Sequence, residues 1–307
     1  MLKKYKDFLI ISFILIITSC LFIYSNEIKL EILRALHIFV NALFPSMFPI
    51  FLLVNMLIEY NFVIILSKYF KFISNKIFHI NESCSYVIIM SLISGFPSGA
   101  KYTKILLDKG LINLNEANYL ITFTNFSNPL FIINVVNIIF NNKVICFKIL
   151  LAHYLANFII ALVTRPKEIP KDTFSIKSIK TESFSKALTT SLNNTYQVLF
   201  LILGSTIFMF ITSFVIINIF NLNGSLEILT NGLLDISKAV ISLNKYNSNI
   251  LFKEILITSF LSFSSFSVHL QVASILNNSK IHYHNFFLGR ICQIGISILL
   301  IICFHNL

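Results

Sequence analysis

The sequence has few charged residues, and this scarcity excludes most soluble folds. Of its 307 residues, 12% are charged, about half the usual fraction for a soluble domain, and 56% are hydrophobic. A soluble protein of this size needs charge on its surface, whereas a protein embedded in a bilayer exposes apolar side chains there. The composition therefore predicts an integral membrane protein.

Charge is missing altogether from eight long stretches, and most of them are long enough to cross a bilayer, which takes about 20 helical residues. Lipid permits only helices and closed barrels, and the apolar residues run continuously instead of alternating, which excludes a barrel. The predicted fold is an all-α, polytopic transmembrane helical bundle of about eight to ten spans. The uncharged stretches are Phe8–Asn26, Ala35–Ile58, Ser83–Ala100, Ala117–Asn142, Ile149–Thr164, Ala187–Leu226, Ile255–Ser279 and Ile291–Leu307.

The chain also lacks the signatures of nucleic-acid binding, metal binding and enzymatic nucleophiles. Its net charge of +11 comes from basic residues between the apolar stretches, where they set topology and contact anionic lipids. The five cysteines show no metal-ligand spacing, and we predict no metal or other cofactor. Ser98 and Lys101 fit the Ser-x-x-Lys pattern of penicillin-binding proteins, but its companion motifs are missing, so we predict no enzyme.

The N-terminus begins with three lysines followed by an apolar stretch. This stretch continues past Cys20 as far as Tyr24, as a membrane span does and a cleaved lipoprotein signal usually does not. We therefore predict that residues 1–30 form a retained anchor helix with the N-terminus in the cytoplasm.

A polar segment, residues 165–186, divides the rest of the chain, and its basic excess predicts a cytoplasmic linker. The flanking regions, 31–164 and 187–307, are predicted to be two membrane repeats, because Ser94–Lys101 resembles Ser262–His269. When spans are counted from a cytoplasmic N-terminus, these two segments run in opposite directions. Such inverted repeats with broken helices are typical of secondary transporters.

This count of membrane spans includes the segments 62–80, 84–107, 117–140 and 226–243. The first and last of these contain charged residues, so the alternative is that they are re-entrant or interfacial.

Ser94–Lys101 is the first candidate for chemistry. Pro97 between two glycines cannot lie in an undisturbed helix, and the freed backbone groups need protein, water or substrate as partners. A lysine near a span centre costs about 2.5–3.5 kcal/mol, and such residues are usually functional. The alternative is a close-packed Gly95-xxx-Gly99 surface with Lys101 reaching the membrane interface. The predicted substrate-binding residues here are Ser94, Gly95, Pro97, Ser98, Gly99 and Lys101.

Polar residues at further breaks or within apolar stretches complete the predicted substrate site. Asparagines beside a proline, a carboxylate before a break and a serine run before a histidine all suggest a hydrated wall. Each also has a structural explanation, as helix–helix hydrogen bonds, a helix cap, self-satisfied serines or a hydrogen-bonded interior histidine. These residues are Asn125, Asn128, Glu227, Asn231, Ser264, Ser265, His269 and Gln271.

Five motifs, in order along the chain, carry a family resemblance: Phe44–Pro49, Ser94–Lys101, Asn128–Ile132, Glu227–Gly232 and Ser267–Val272. Together they resemble the sporulation integral membrane protein family of the YlbJ type. The resemblance implies nucleoside-recognition, or Gate, regions with a broken helix in the first repeat. It also implies a glycine-rich turn where this chain has Ser264 and Ser265.

The resemblance further implies movement of dipicolinic acid, a small aromatic dianion, across a forespore membrane of a bacterium. Lys101 and His269 would then supply positive charge or donors, and Phe96 and Phe266 would flank the ring. Two alternatives remain, a transporter of nucleosides or other small solutes, and a non-transporting membrane scaffold or receptor in sporulation. The predicted partners are the anion and membrane lipids, and the sequence does not distinguish a monomer from a homo-oligomer.

Overall fold

The computed structural model describes residues 2–167 and 183–305, with side chains from Tyr5 onward. Its regular elements in these ranges are all helices, which confirms the predicted all-α polytopic fold. Most of the predicted linker, residues 168–182, lies outside the described residues. The α-helices are α1 Leu2–Ile23, α2 Ser25–Ile38, α3 Phe44–Glu59, α4 Phe62–Phe72, α5 Cys84–Ser94, α6 Ser98–Asp108, α7 Leu114–Phe123, α8 Pro129–Phe140, α9 Lys143–Thr164, α10 Phe184–Ile219, α11 Gly224–Leu234, α12 Ile236–Lys245, α13 Ile250–Phe263, α14 Ser265–Leu276 and α15 Tyr283–His305.

Among the described residues, six helical stretches are long and apolar enough to cross a membrane, judged by length and composition. A π-helical segment, Phe39–Leu43, makes α2 and α3 one continuous stretch, and a second, Ile73–Phe78, extends α4. The six stretches are Tyr5–Ile23, Ser25–Glu59, Lys143–Thr164, Phe184–Ile219, Ile250–Leu276 and Tyr283–His305.

Hairpin 1 consists of α5 and α6, which fold back on each other around the Gly95–Pro97 turn. The rings of Tyr86 and Tyr102 lie 5.9 Å apart, whereas one straight helix would separate residues 16 positions apart by about 24 Å. The prediction of a single span over 84–107 is therefore wrong. Pro97 and the left-handed backbone of Gly95 (φ +76°) end α5 and let the chain reverse.

Hairpin 2 consists of α11 and α12 and reverses at Asp235. The hydroxyls of Ser225 and Tyr246, 21 residues apart, approach to 3.0 Å, which requires antiparallel helices. The segment predicted as a span over 226–243 therefore folds back on itself and is not one straight helix, while its re-entrant placement in the membrane stays a prediction. Asp235 has an extended backbone and accepts the N–H of Ser237 at 2.8 Å, which caps α12.

Two further helices among the described residues are interrupted by a break. Interrupted helix 1 (α7 and α8) breaks at residues 124–128, and interrupted helix 2 (α13 and α14) breaks at Ser264. Ser264 and Ser265 both have positive φ, +72° and +46°, the region that glycine adopts most easily. The turn implied by the family resemblance is therefore present, although serines form it.

The order of hairpin, interrupted helix and long helix occurs twice, ending in α9 and in α15. The two sets pack crosswise, α6 against α14 and α12 against α8, α7 against α15 and α13 against α9. This order pairs the hairpin 1 turn with the hairpin 2 turn, and the 124–128 break with Ser264. The sequence match of Ser94–Lys101 to Ser262–His269 instead pairs hairpin 1 with interrupted helix 2. The two segments are similar in composition but occupy different positions in the two sets of helices. The inverted direction of the repeats stays a prediction.

Candidate functional site

Hairpin 1 packs its turn directly onto the break of interrupted helix 1. The Asn128 amide donates to the Ile93 carbonyl at 3.0 Å, and a Cβ on Gly95 would lie 2.6 Å from the Asn128 nitrogen. A Cβ on Gly99 would lie 2.2 Å from the Thr124 carbonyl oxygen. Gly95 and Gly99 therefore allow hairpin 1 to contact the backbone at both ends of the 124–128 break.

We expect Gly99→Ala to destabilise the protein by about 3 kcal/mol, because the new methyl group meets backbone that cannot move aside. Gly204→Ala is the matched control, since no atom lies within 4 Å of its added Cβ. Thermal unfolding of both variants in detergent measures the difference. Equal unfolding temperatures would contradict the close packing of hairpin 1 on interrupted helix 1.

The two interrupted helices meet at their breaks. The Asn125 amide donates to the Ser264 hydroxyl at 2.7 Å, although the residues are 139 positions apart. Ser265 donates to the Gly232 carbonyl at 2.5 Å and so joins interrupted helix 2 to hairpin 2. The structure thus brings together Asn125, Ser264 and Ser265, which the sequence assigned to one site.

A small cavity, called here the central cavity, lies beside this junction. It has a volume of about 30 Å³, and both hairpin turns contribute to its wall. Its walls include Phe96, Phe131, Thr206, Asp235, Ser267 and Gln271. Gln271 also donates to the Ser205 hydroxyl at 2.9 Å. At this volume the cavity holds about one water molecule, so an organic solute cannot enter it in this conformation.

A second and larger cavity, called here the Lys101 cavity, has a volume of about 590 Å³. That volume lies within the range of about 300–1,000 Å³ for small-molecule sites. Its walls include Lys101, Lys104, Asp108, Asn194, Gln197 and Ser274.

Lys101 is only 7% exposed, and its ammonium donates to the Asn194 carbonyl at 3.2 Å. The same nitrogen lies 5.8 Å from the centre of the Phe51 ring. Within the described ranges, Lys101 has no ion-pair partner. By contrast, Lys104 is bound to the Ile275 and Asn277 carbonyls, at 2.9 and 3.2 Å. Lys101 is therefore a buried cation with spare donor capacity beside a cavity of ligand size.

The central cavity and the Lys101 cavity are lined by the same three elements, namely hairpin 1, α10 and α14. Hairpin 1 contributes Phe96 to the central cavity and Lys101 to the other, and α10 contributes Ile202 and its neighbour Leu201. On α14, residues 271 and 274 face one cavity each, only about 4.5 Å apart along the helix axis.

The remaining predicted residues lie elsewhere. Both ring nitrogens of His269 are engaged, with the Tyr283 hydroxyl at 2.5 Å and the Phe263 carbonyl at 2.9 Å. The described contacts therefore do not bring His269 to Lys101, and its surroundings fit the alternative of a hydrogen-bonded interior histidine. Phe266 packs on Phe263 and His269 and is 41% exposed.

Glu227 and Asn231 line a third cavity of about 380 Å³, between hairpin 2, α2 and α10. The Asn231 amide donates to Ser242 at 2.7 Å, and its oxygen accepts from Ser213. Ser94 donates back to the Met90 carbonyl at 2.5 Å, within its own helix. The predicted site residues thus divide among the breaks, two hairpins and three cavities, and their role in substrate binding stays a prediction.

Arg290 is a buried cation that the sequence interpretation missed. It is 0% exposed and donates to the Thr122 carbonyl at 2.8 Å, to Asn157 at 3.1 Å and to the Gln293 oxygen. A longer bond reaches the Asn125 carbonyl at 3.4 Å. Arg290 directly precedes the uncharged stretch Ile291–Leu307, and no motif around it marks it as an interior residue. The carbonyl end of α7 carries a negative dipole that compensates the guanidinium.

No protein-family model matches the chain, and no solved structure matches it. It is similar to a protein named sporulation integral membrane protein YlbJ, from Bacillus subtilis (strain 168). The two are 28% identical over 331 aligned positions, which cover 95% of this chain and 81% of the relative. The resemblance to the YlbJ-type family is confirmed. With its six long apolar helices, the chain is an integral membrane protein.

Proposed function

We propose that this protein transports a small organic anion, with dipicolinate as the first candidate, through the Lys101 cavity. The observation that carries the proposal is a buried lysine without a carboxylate partner among the described residues, in the wall of a cavity of about 590 Å³. An unpaired ammonium away from water is costly, and an anionic substrate would compensate that cost.

The arrangement of the breaks supports transport rather than binding alone. The turn of hairpin 1 contributes Phe96 to the central cavity, and the rings of Phe96 and Phe131 meet edge-on at 6.1 Å. These rings help to keep the central cavity too small for an organic solute. Movement of hairpin 1 would open it to the Lys101 cavity, which is the kind of gating expected at broken helices.

The sporulation setting is proposed from the similar protein alone, whose name places it in sporulation. Dipicolinate suits the site because it is a planar dianion. One of its carboxylates can approach the Lys101 ammonium in the cavity wall. A forespore membrane is accordingly the proposed location.

The test is uptake of labelled dipicolinate and of a labelled nucleoside into liposomes that contain the purified protein, with protein-free liposomes as the baseline. We expect dipicolinate to accumulate and the nucleoside to remain at the baseline. Uptake of the nucleoside alone would favour the nucleoside transporter. If neither compound enters while the protein is folded, the transporter proposal fails and the scaffold or receptor alternative gains support.

A further inference from the structure

We propose that the central cavity is a binding site for a dehydrated sodium ion, held by Asp235 of hairpin 2 and the hydroxyls around it. The geometry of the cavity alone supports the cation site. The further step, in which binding of the ion drives movement of the anion, rests on the proposed function.

Among the residues that the structure describes, Asp235 carries the one charged group in the wall of this cavity. Asp235 is 4% exposed, and the Ser237 N–H donates to it at 2.8 Å. In the part of the chain that the structure describes, no basic side chain lies within ion-pair distance of it. Lys238, three residues away, is turned to other partners, Glu31 at 2.8 Å and the Phe210 carbonyl at 3.1 Å.

The other polar groups of the cavity offer oxygen atoms as ligands, which a hard cation prefers. The hydroxyl-bearing residues Thr206, Ser237 and Ser267 lie in the same wall as the Asp235 carboxylate. Gln271 uses its amide nitrogen for Ser205, which leaves its oxygen as a further acceptor. A volume of about 30 Å³ admits one ion and excludes its hydration shell.

Helix capping alone does not account for this arrangement. Asp235 caps α12 with one side-chain oxygen, but its carboxylate lies inside the protein, where no basic side chain among the described residues compensates a negative charge. The ion would neutralise that charge. It would also link hairpin 2, through Asp235, to interrupted helix 2, through Ser267. Phe96 of hairpin 1 lies in the wall of the same cavity.

The direct test is thermal unfolding of the purified protein in detergent, without dipicolinate, in sodium, potassium or choline chloride at equal ionic strength. A thiol-reactive dye can follow unfolding through the buried cysteines, since the chain has no tryptophan. We expect sodium to raise the unfolding temperature by several degrees in a saturable way. Asp235→Asn should abolish this shift, whereas Glu82→Gln, a surface carboxylate paired with Lys71 at 3.2 Å, should retain it.

If Asp235→Asn does not fold, Ser267→Ala gives a second arm, and its half-saturating sodium concentration should rise about tenfold, as for loss of one ligand. Equal unfolding temperatures of the wild type in all three salts would overturn the site. An unchanged sodium shift in both Asp235→Asn and Ser267→Ala would also overturn the site. An unfolding temperature that responds to pH but not to sodium would do the same.

The flux assay then separates the two proposals. Dipicolinate uptake that is unaffected by a sodium gradient would overturn the coupling while leaving the transporter intact. Sodium stabilisation without any dipicolinate uptake would overturn the transporter and leave the cation site standing.

Discussion

Replacing Lys101 by Met is expected to lower the affinity for dipicolinate by about 100- to 1,000-fold and to bring its uptake to the protein-free baseline. A unit charge pair at about 4 Å in a protein environment contributes about 4 kcal/mol, which is close to three powers of ten in affinity. Met keeps the volume of the side chain and removes only the charge. The variant should therefore fold at least as stably as the wild type, because a buried ammonium is costly.

The matched control is Lys104→Met, in the wall of the same cavity. Lys104 already donates to two carbonyls at the end of α14, so its charge is partly compensated before an anion arrives. We expect less than about a tenfold loss of affinity from it, as for an exposed charge. Equal losses in the two variants would show that Lys101 has no special role. Unchanged uptake in Lys101→Met would contradict the assignment of the anion site.

Arg290→Met is expected to have the largest effect on folding, a loss of about 3–5 kcal/mol of stability. The guanidinium donates to the buried oxygens of Asn157 and Gln293 and to the partly buried carbonyl of Thr122. Without it, these acceptors stay buried without a donor, and each costs about 1–3 kcal/mol. Thermal unfolding and the yield of monodisperse protein in detergent measure the loss.

Arg34→Met is the control for this variant. Its side chain is 61% exposed and pairs with Glu31, which keeps Lys238 as a second partner. A change of less than about 1 kcal/mol is expected for such a surface pair. If Arg290→Met were as stable as Arg34→Met, the network around α7, α9 and α15 would not hold the bundle together.

The class of fold followed from the sequence because lipid tolerates little else than uncharged helices of sufficient length. The hairpins did not follow. Gly95 and Pro97 indicate a break in the helix. Whether the chain then continues in the same direction or reverses depends on contacts with residues far away in the sequence. Tyr86, for example, lies beside Tyr102 and donates to the Val54 carbonyl at 3.0 Å. Such contacts leave no local signal in the sequence.

The candidate site was predictable to the same degree. A lysine inside an apolar stretch is unusual by itself, so Lys101 was identified, but its contact with Asn194, 93 residues away, was not. Asp235 is not among the predicted site residues, since nothing in the surrounding sequence shows that it faces a cavity. His269 was overvalued because the alignment of the two halves placed it opposite Lys101. In the structure its nitrogens are bound to Tyr283 and Phe263.

The most direct measurement is an experimental structure determined with dipicolinate present. We predict ligand density in the Lys101 cavity, with one carboxylate within about 3 Å of the Lys101 ammonium, the distance of a charge-assisted hydrogen bond. Density confined to the third cavity near Glu227, or no density at saturating dipicolinate, would contradict an anion path through the Lys101 cavity.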